Sequence, residues 1–317
     1  MGSHDASVIT IDCHYIQPQA AAAYLLIGDG KAAFIDNNTN RAIPRLLDAL
    51  KQAGLTPEDV VYAIVTHVHL DHAGGTAALA AACPRAEVLV HPRGARHMKD
   101  PSRLVQGAKE VYGEARFAEL YGEIEPVPEN RIRVVEDGDA VRLGDRELVV
   151  LDTPGHAKHH HCVYDPASEG VFTGDTFGVF YPVLPQGERP LVMASSAPVD
   201  FDPDAALNTI QRLVDTGAKR AFLSHFGCVE GVPEAAASLT ESVKGLAAVF
   251  DEAVQQGLEG DTLLRFCEEG VRKAHLDHLA RCGVPETDLV RAWTEGDIRI
   301  NAQGVAVAAA RRMATKA

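Results

Sequence analysis

Residues 66–75 read THVHLDHAGG and place three histidines and one aspartate within six positions, directly after the apolar run VVYAIV at 60–65. A short apolar run of this kind predicts a buried β-strand, with the histidines at its carboxyl end. His67 and His69 are two residues apart, so both side chains can point toward one ion. Asp71 and His72 follow where the chain turns into a predicted helix, and can face a second ion about 3.5–4 Å from the first. The stretch therefore predicts metal binding at a strand end.

Three more strand ends offer metal ligands. A single loop rarely completes the ligand shells of two ions, so donors from other strands are expected. His156 in DTPGH, Asp175 in FTGD and His225 in LSHFG each follow an apolar, strand-like run, at a turn that contains glycine. The first histidine cluster likewise directly follows a predicted strand. The three residues are therefore candidate additional ligands.

The order of predicted elements indicates a layered α/β (α+β) fold. Strands, a helix, a strand, a helix, more strands, a helix and a final strand follow one another up to about residue 227, and from Pro233 the pattern is mainly helical. Two strand-and-helix halves stacked sheet against sheet would give a four-layer sandwich with helices outside. We expect a catalytic domain at 5–230 and a helical C-terminal accessory region at 231–317.

Taken in order, these motifs resemble those of the metallo-β-lactamase superfamily of metallo-hydrolases. The matching pieces lie between about residues 8 and 227, and they are Asp36 in FIDNN, the His-x-His-x-Asp-His run from His67 to His72, His156, Asp175 and His225. Five motifs in the correct order are far more specific than any one of them. The resemblance implies an αβ/βα sandwich, which agrees with the order of predicted elements.

The resemblance also implies two metal ions and the residues that hold them. In that family, one metal is held by the residues that match His67, His69 and His156, and the other by those that match Asp71, His72 and His225, with Asp175 bridging. Two Zn²⁺ ions are expected, with Fe²⁺ or a mixed Fe/Zn pair as the alternative. Bound zinc lowers the pKa of water to about 7, so the expected nucleophile is a metal-bridging hydroxide.

Two acidic residues receive different roles from the resemblance. Asp71 is the expected catalytic residue, because its carboxylate can orient the water or move its proton. Asp36 is expected to hold the histidine loop in place without touching a metal.

Further histidines and aromatic residues follow the candidate ligands. The run HAKHHH places histidines at 159–161, and side chains in a strand alternate between its faces, so the three cannot all reach the metals. We expect His160 to lie near the metals as a supporting residue. Phe177, Phe180 and Tyr181 follow Asp175 on a loop where they would line the substrate pocket, and simple core packing is the equal alternative.

Composition restricts the partners. A formal net charge of −14 would repel a phosphate backbone, so nucleic acid is not an expected partner. No window approaches the roughly 18 uninterrupted apolar residues that a membrane helix requires, so no membrane partner is expected. The six cysteines contain no C-x-x-C pair, which is typical of reduced thiols and predicts a cytoplasmic location. The expected partner is a small-molecule substrate, and a homodimer is left open.

The superfamily covers several reactions, so the fold alone does not select a substrate. The chain resembles a glyoxalase II-like branch, but TGDTFGVFYPVLPQ at 173–186 lacks the Cys-Gly-Arg element that usually follows TGDT there, which disfavours a glutathione substrate. We expect a metal-dependent hydrolase of a small ester, thioester or lactone. One alternative is a persulfide dioxygenase with a single iron on His67, His156 and Asp175. The alternative of another class is a protein that keeps the metals for binding or sensing, with little turnover.

Overall fold

The computed structural model describes residues 8–196 and 201–315. The predicted start of the catalytic domain, residues 5–7, lies outside the described residues. The protein has two mixed β-sheets, helices and a helical C-terminal region, which confirms the predicted fold class.

The chain divides into two compact units. The first comprises the chain up to Asp152 together with His159–Gly174 and Arg220–Cys228, and the second comprises Thr153–Lys158, Asp175–Lys219 and the chain from Val229 onward. Both units are therefore built from separate stretches of chain, whereas the predicted domains at 5–230 and 231–317 are continuous. The predicted boundary stays a prediction.

The first sheet contains the strand that leads into the histidine cluster. Its six strands lie side by side in chain order, and they are β1 (Val8–Asp12), β2 (Ala22–Gly28), β3 (Lys31–Ile35), β4 (Val60–Val65), β5 (Glu87–Val90) and β6 (Ile132–Val134). The strands from β1 to β3 pair antiparallel, and those from β3 to β6 pair parallel. The apolar run at 60–65 thus forms a strand between two parallel neighbours, as its composition predicts.

The second sheet also has six strands. They are β7 (Ala140–Leu143), β8 (Arg146–Asp152), β9 (His161–Asp165), β10 (Gly170–Gly174), β11 (Arg220–Leu223) and β12 (Gly227–Glu230), arranged in the order β12-β11-β10-β9-β8-β7. Strands β7 to β10 pair antiparallel, while β10 and β11 are parallel.

Ten α-helices complete the described part of the chain. Six belong to the first unit, and they are α1 (Ile43–Gln52), α2 (Leu70–Ala73), α3 (Thr76–Ala82), α4 (Ala95–Lys99), α5 (Ser102–Tyr112) and α6 (Glu114–Leu120). Four belong to the second unit, and they are α7 (Pro203–Asp215), α8 (Val232–Gln256), α9 (Gly260–Cys282) and α10 (Asp288–Ala314). Within the described residues, no helix combines the length and the apolar composition needed to cross a membrane.

The core of the first unit lies on both faces of the first sheet. Successive side chains of a strand point to opposite faces, and β3 shows this at Phe34 and Ile35. Phe34 packs in a cluster with Leu46 of α1 and Leu79 of α3. Ile35 belongs to the cluster between the sheets, which contains Phe172 of β10. Each such buried side chain contributes roughly 1.5–3 kcal/mol to stability, so the strand ends that carry the histidines are firmly placed.

The second unit has its own core around the C-terminal helices. Helices α8, α9 and α10 contact one another, and a cluster that includes Val179, Met193, Leu279 and Val290 joins them to the loop after β10. Helix α7 begins where Asp202 accepts a hydrogen bond from the backbone nitrogen of Ala205 at 3.0 Å. An aspartate at this position satisfies one of the free N–H groups of the first helical turn.

A buried histidine in β9 is predicted to make the fold sensitive to acid. His161 is fully buried, and neither ring nitrogen has a hydrogen-bond partner among the described residues. Burial lowers the pKa of His161 to about 3, and neighbouring His91 acts in the same direction. The unfolded chain therefore binds more protons below about pH 6.5, so the free energy of unfolding should fall from there toward pH 3.

Urea unfolding of the metal-free protein at pH 7 and pH 5 tests this expectation. His161→Leu removes the titrating group, so the loss of stability between the two pH values should be smaller than in the wild type. Gln52→Leu is the control, because Gln52 is exposed at the end of α1 and does not titrate, so it should leave the loss unchanged. An equal loss in wild type and His161→Leu would contradict the expectation.

Candidate metal centre

The histidine cluster lies between β4 and the first turn of α2. β4 ends at Val65, and the backbone nitrogens of His72 and Ala73 both bond the carbonyl of His69, at 3.0 and 2.9 Å. Because of this helical turn, the side chain of His72 lies close to those of the histidines that precede the turn. The ring centroids of His67 and His69 lie 4.5 Å apart, and those of His67 and His72 lie 4.0 Å apart. The first unit thus gathers the whole predicted cluster.

His225 joins this cluster from the end of β11. Its ring centroid lies 5.2 Å from that of His72. Oδ2 of Asp71 lies 3.5 Å from Nε2 of His225 and 3.8 Å from Nε2 of His72. One ligand atom from each of these three residues lies within 4.8 Å of the other two, a spacing at which they could hold a metal ion. The three residues are also the set that the family resemblance assigns to one metal.

The Nδ1 atoms of three of these histidines, His67, His72 and His225, are held by the protein. Nδ1 of His72 lies 2.9 Å from Oδ2 of Asp36, and Nδ1 of His225 lies 2.8 Å from the carbonyl oxygen of Ala20. Nδ1 of His67 lies 3.1 Å from Oγ1 of Thr66. Such contacts fix the orientation of a metal-binding histidine and direct Nε2 toward the ion. The donor set therefore fits metal binding through Nε2.

Asp36 is the centre of the support behind the cluster. Its side chain is 2% exposed, and it follows β3 with a φ of 54°, in the left-handed region that aspartate tolerates better than most residues. Oδ1 accepts hydrogen bonds from the backbone nitrogen and from Oγ1 of Thr66, both at 2.9 Å. Oδ2 accepts a hydrogen bond from Oγ of Ser224 at 2.7 Å, beside its contact with His72.

The two residues after Asp36 hold the histidine loop from the same side. The backbone nitrogens of Asn37 and Asn38 donate to the carbonyl of His72, at 2.9 and 3.1 Å. Nδ2 of Asn38 donates to the backbone carbonyl of Asp71 at 2.7 Å. The short motif DNN therefore positions both ligands of the α2 turn.

The second unit contains the two remaining candidate ligands. Nε2 of His156 lies 3.6 Å from Oδ2 of Asp175, and both side chains are buried. Nδ1 of His156 lies 3.1 Å from the carbonyl oxygen of Ser195, so Nδ1 is again held by the protein while Nε2 faces Asp175. Gly155 precedes it with a φ of 132°, and a Cβ there would lie 2.5 Å from Cα of Ala206, so only glycine fits this turn.

Of the three histidines at 159–161, His160 lies beside the cluster. It is fully buried, and its ring centroid lies 4.9 Å from that of His67. A Cβ on Gly174 would lie 2.4 Å from Nε2 of His160, and Gly174 has a φ of 50°, so glycine is required directly before Asp175. The ring of His159 is also close, 5.3 Å from that of His69. The alternation of strand faces does not apply to His159, because it lies in the turn before β9.

The aromatic residues after Asp175 are mostly buried. Phe177 is fully buried, while Phe180 is half-buried. Tyr181 packs in the core of the second unit, with its ring centroid 5.0 Å from that of Trp293. The packing of Tyr181 fits the core alternative, and a role of the three residues in substrate binding stays a prediction.

Two tyrosines near Asp71 were not predicted as site residues. The hydroxyls of Tyr15 and Tyr121 lie 2.8 Å apart, in a buried cluster that includes Leu70. Burial raises the pKa of both phenols well above the usual value, and the charge of Asp71 adds to this. Both are therefore neutral hydroxyls. The sequence contained no spacing signal for them, because Tyr15 lies in an irregular loop.

Comparison with known proteins identifies the family. The sequence matches the metallo-β-lactamase superfamily over residues 16–225. The chain belongs to the metallo-β-lactamase superfamily. The similar proteins include the metallo-β-lactamase fold-containing protein ST1585 of Sulfurisphaera tokodaii, which is 25% identical over 67% of this chain and 75% of its own length. The crystal structure of ST1585 matches with a TM-score of 0.66 at 20% identity, covering 94% of this chain and 98% of that one, and shows the shared fold.

Two other relatives of this superfamily member carry names that state an activity. Acyl-coenzyme A thioesterase MBLAC2 of Gallus gallus is 30% identical over 172 residues, which are 51% of this chain and 59% of the relative. An N-acyl homoserine lactonase of Bacillus thuringiensis is 26% identical over 187 residues, which are 58% of this chain and 61% of the relative. The matches thus span about three fifths of each of these two relatives. The assignment to a glyoxalase II-like branch stays a prediction.

Removal of the Asp36 charge is expected to weaken metal binding. Asp36→Asn replaces the carboxylate that His72, Thr66 and Ser224 contact, and loss of such a supporting group typically costs about 10- to 100-fold in metal affinity. Competition with a chromophoric chelator measures this affinity directly. Ser224→Ala removes only one of the donors and should cost less. Asp59→Asn is the control, because Asp59 bonds Thr56 at the amino end of β4, opposite the end that carries the histidines. An unchanged affinity in Asp36→Asn would overturn the supporting role.

Proposed function

We propose that this superfamily member is a metal-dependent hydrolase of small thioesters, esters or lactones. The observation that carries the proposal is the convergence of Asp71, His72 and His225, with two Nε2 atoms within 3.8 Å of one carboxylate oxygen. Histidine nitrogens with carboxylate oxygens are donors that suit zinc and iron. The thioesterase and lactonase names of two relatives support an acyl-transfer reaction to water.

We propose a pair of divalent ions, on the ligands that the family resemblance assigns. One ion would use His67, His69 and His156, the other would use Asp71, His72 and His225, and Asp175 would serve both. Bound ions of this kind supply the site with a water whose pKa lies near 7, and they polarise the acyl carbonyl. Two Zn²⁺ ions are proposed, and iron in one or both positions is the alternative.

The side chains of this chain would orient the water and carry its proton. The Asp71 side chain is 23% accessible, against 12% for His225 and 1% for His72. A carboxylate that is both fixed and accessible can accept a hydrogen bond from the attacking water and take its proton as the water oxygen bonds to the carbonyl carbon, before the bond from that carbon to the leaving oxygen or sulfur breaks. The proton then passes to the leaving group, which departs as an alcohol or a thiol.

The second-metal ligands distinguish this proposal from an iron dioxygenase. That alternative uses His67, His156 and Asp175, and it assigns no task to the group of Asp71, His72 and His225. Holding His72 and His225 in fixed orientations costs side-chain entropy, and in this proposal it prepares both histidines to bind a second ion. We further propose that the partner is a small molecule in the cytoplasm, with neither nucleic acid nor a membrane taking part.

Hydrolysis assays with the zinc-loaded protein test the proposal. We expect metal-dependent turnover of at least one of a thioester, an aryl ester and a lactone, and loss of turnover after treatment with a chelator. Asp71→Ala and His225→Ala should each lower kcat/KM by about 10²-fold or more, because each removes a ligand and Asp71 also moves the proton. Asp139→Ala, at an exposed turn, is the control. The absence of metal-dependent turnover on all three substrates, or turnover of a phosphodiester only, would contradict the proposal.

A further inference from the structure

A basic segment follows β5 at the sheet edge that also carries the histidine cluster. β4 and β5 are parallel neighbours, paired from Tyr62 with Glu87 to Val65 with Val90. Their carboxyl ends therefore lie side by side, with His67 following β4 and residues 91–103 following β5. In open α/β sheets, ligands bind outside the carboxyl ends of the strands. The segment 91–103 is thus placed at the functional edge of the sheet.

The charge of this segment is opposite to that of the chain. The chain has a formal net charge of −14, but residues 91–103 contain Arg93, Arg96, Lys99 and Arg103 against the single acid Asp100. A cluster of one sign against an opposite background creates a local field that attracts counter-charged ligands.

The arginines of the segment are available to a ligand. Lys99 is bonded to Glu129, and Asp100 accepts a hydrogen bond from the backbone nitrogen of Ser102 at 3.1 Å. Arg96 and Arg103 are exposed, and neither forms an ion pair with an acidic side chain of residues 8–196 or 201–315. Neither guanidinium group is therefore held in an ion pair by the described parts of the chain, although hydrogen bonds from Ser102 and, to a lesser degree, the charge of Arg103 lower the pKa of nearby Asp100.

A row of imidazole rings connects these arginines to the candidate metal centre. Nε of Arg96 donates to Nε2 of His97 at 3.1 Å, and the ring centroid of His97 lies 6.3 Å from that of His159. The ring of His159 in turn lies 5.3 Å from that of His69. Burial lowers the pKa of His97, and the charges of Arg96 and Arg103 act in the same direction.

We propose that Arg96 and Arg103 form a subsite for an anionic group of the substrate, so that the preferred substrates are thioesters whose thiol carries phosphate groups. This inference rests on the proposed hydrolase function. Guanidinium groups bind phosphate and carboxylate oxygens in a bidentate manner, and a phosphate monoester carries about −1.5 to −2 charges at neutral pH, whereas a carboxylate carries one. A lactone with an apolar acyl chain has no group for such a subsite. The carboxylates of a thiol such as glutathione offer the arginines less charge, so thioesters of phosphate-bearing thiols are the preferred substrates.

Three acetyl thioesters with the same scissile bond test the proposal. The thiols are coenzyme A, which carries phosphates; glutathione, which carries carboxylates; and N-acetylcysteamine, which is neutral. The double variant Arg96→Ala/Arg103→Ala should lower the ratio of kcat/KM for acetyl-coenzyme A to that for the neutral thioester by about 3- to 10-fold, as expected for two solvent-exposed charge contacts. Arg85→Ala is the matched control, because Arg85 is exposed at the opposite, amino end of β5.

Ionic strength provides a second signature. A rise in ionic strength from 0.01 to 0.15 M shortens the Debye length from about 30 to about 8 Å, so the wild-type preference for acetyl-coenzyme A should decrease. The double variant should show little of this salt dependence. A fall in the glutathione ratio equal to that of coenzyme A would overturn the preference for phosphate, whereas a larger fall for coenzyme A supports it.

The outcomes separate this inference from the proposed function. Equal ratios in wild type and double variant, with metal-dependent hydrolysis intact, would overturn the subsite and leave the hydrolase in place. If no thioester is hydrolysed, the subsite is tested by calorimetric titration of the chelator-treated protein with adenosine 3′,5′-bisphosphate. Binding that weakens in the double variant but not in Arg85→Ala supports the subsite, and absence of binding to the wild type overturns it.

Discussion

The buried carboxylate of Asp36 is the interaction on which the candidate site depends. It lies at the end of β3 and contacts Thr66 after β4, Ser224 after β11 and His72 in α2. These contacts connect strand ends of both sheets with one ligand of the candidate metal centre. A buried charge is costly unless it is paired and fully hydrogen-bonded, so this carboxylate constrains the position of every group around it.

The same constraint explains how a small set of histidines can act as metal ligands. Each of His67, His72 and His225 has Nδ1 engaged by the protein, which leaves Nε2 as the ligand atom. Fixed ligands lower the cost of ordering the site when an ion binds. The accessible carboxylate of Asp71 then remains as the group that can exchange protons with a water. The proposed chemistry therefore depends on rigid support behind the candidate ligands.

Much of this arrangement was predictable from the sequence, because strand ends leave clear signals. The apolar run before His67 and the glycine turns around His156, Asp175 and His225 indicated both the strands and the candidate ligands, and the fold class is confirmed. The supporting contacts were not predictable. Thr66, Ser224 and the carbonyl of Ala20 become relevant only once distant strands are adjacent, and Tyr15 comes from a loop without periodicity. The sequence patterns also did not predict that each of the two units is built from separate stretches of chain, because this depends on contacts between distant residues.

The most direct test of the account is the metal content per chain, measured by elemental analysis of protein purified without chelator. A two-ion site predicts about two ions per chain in the wild type and about one in Asp71→Ala and His225→Ala, since these residues are assigned to one ion of the pair. Asp139→Ala should retain the wild-type content. A single ion per chain in the wild type, unchanged by either ligand substitution, would contradict the two-ion hydrolase and would favour the mononuclear iron alternative.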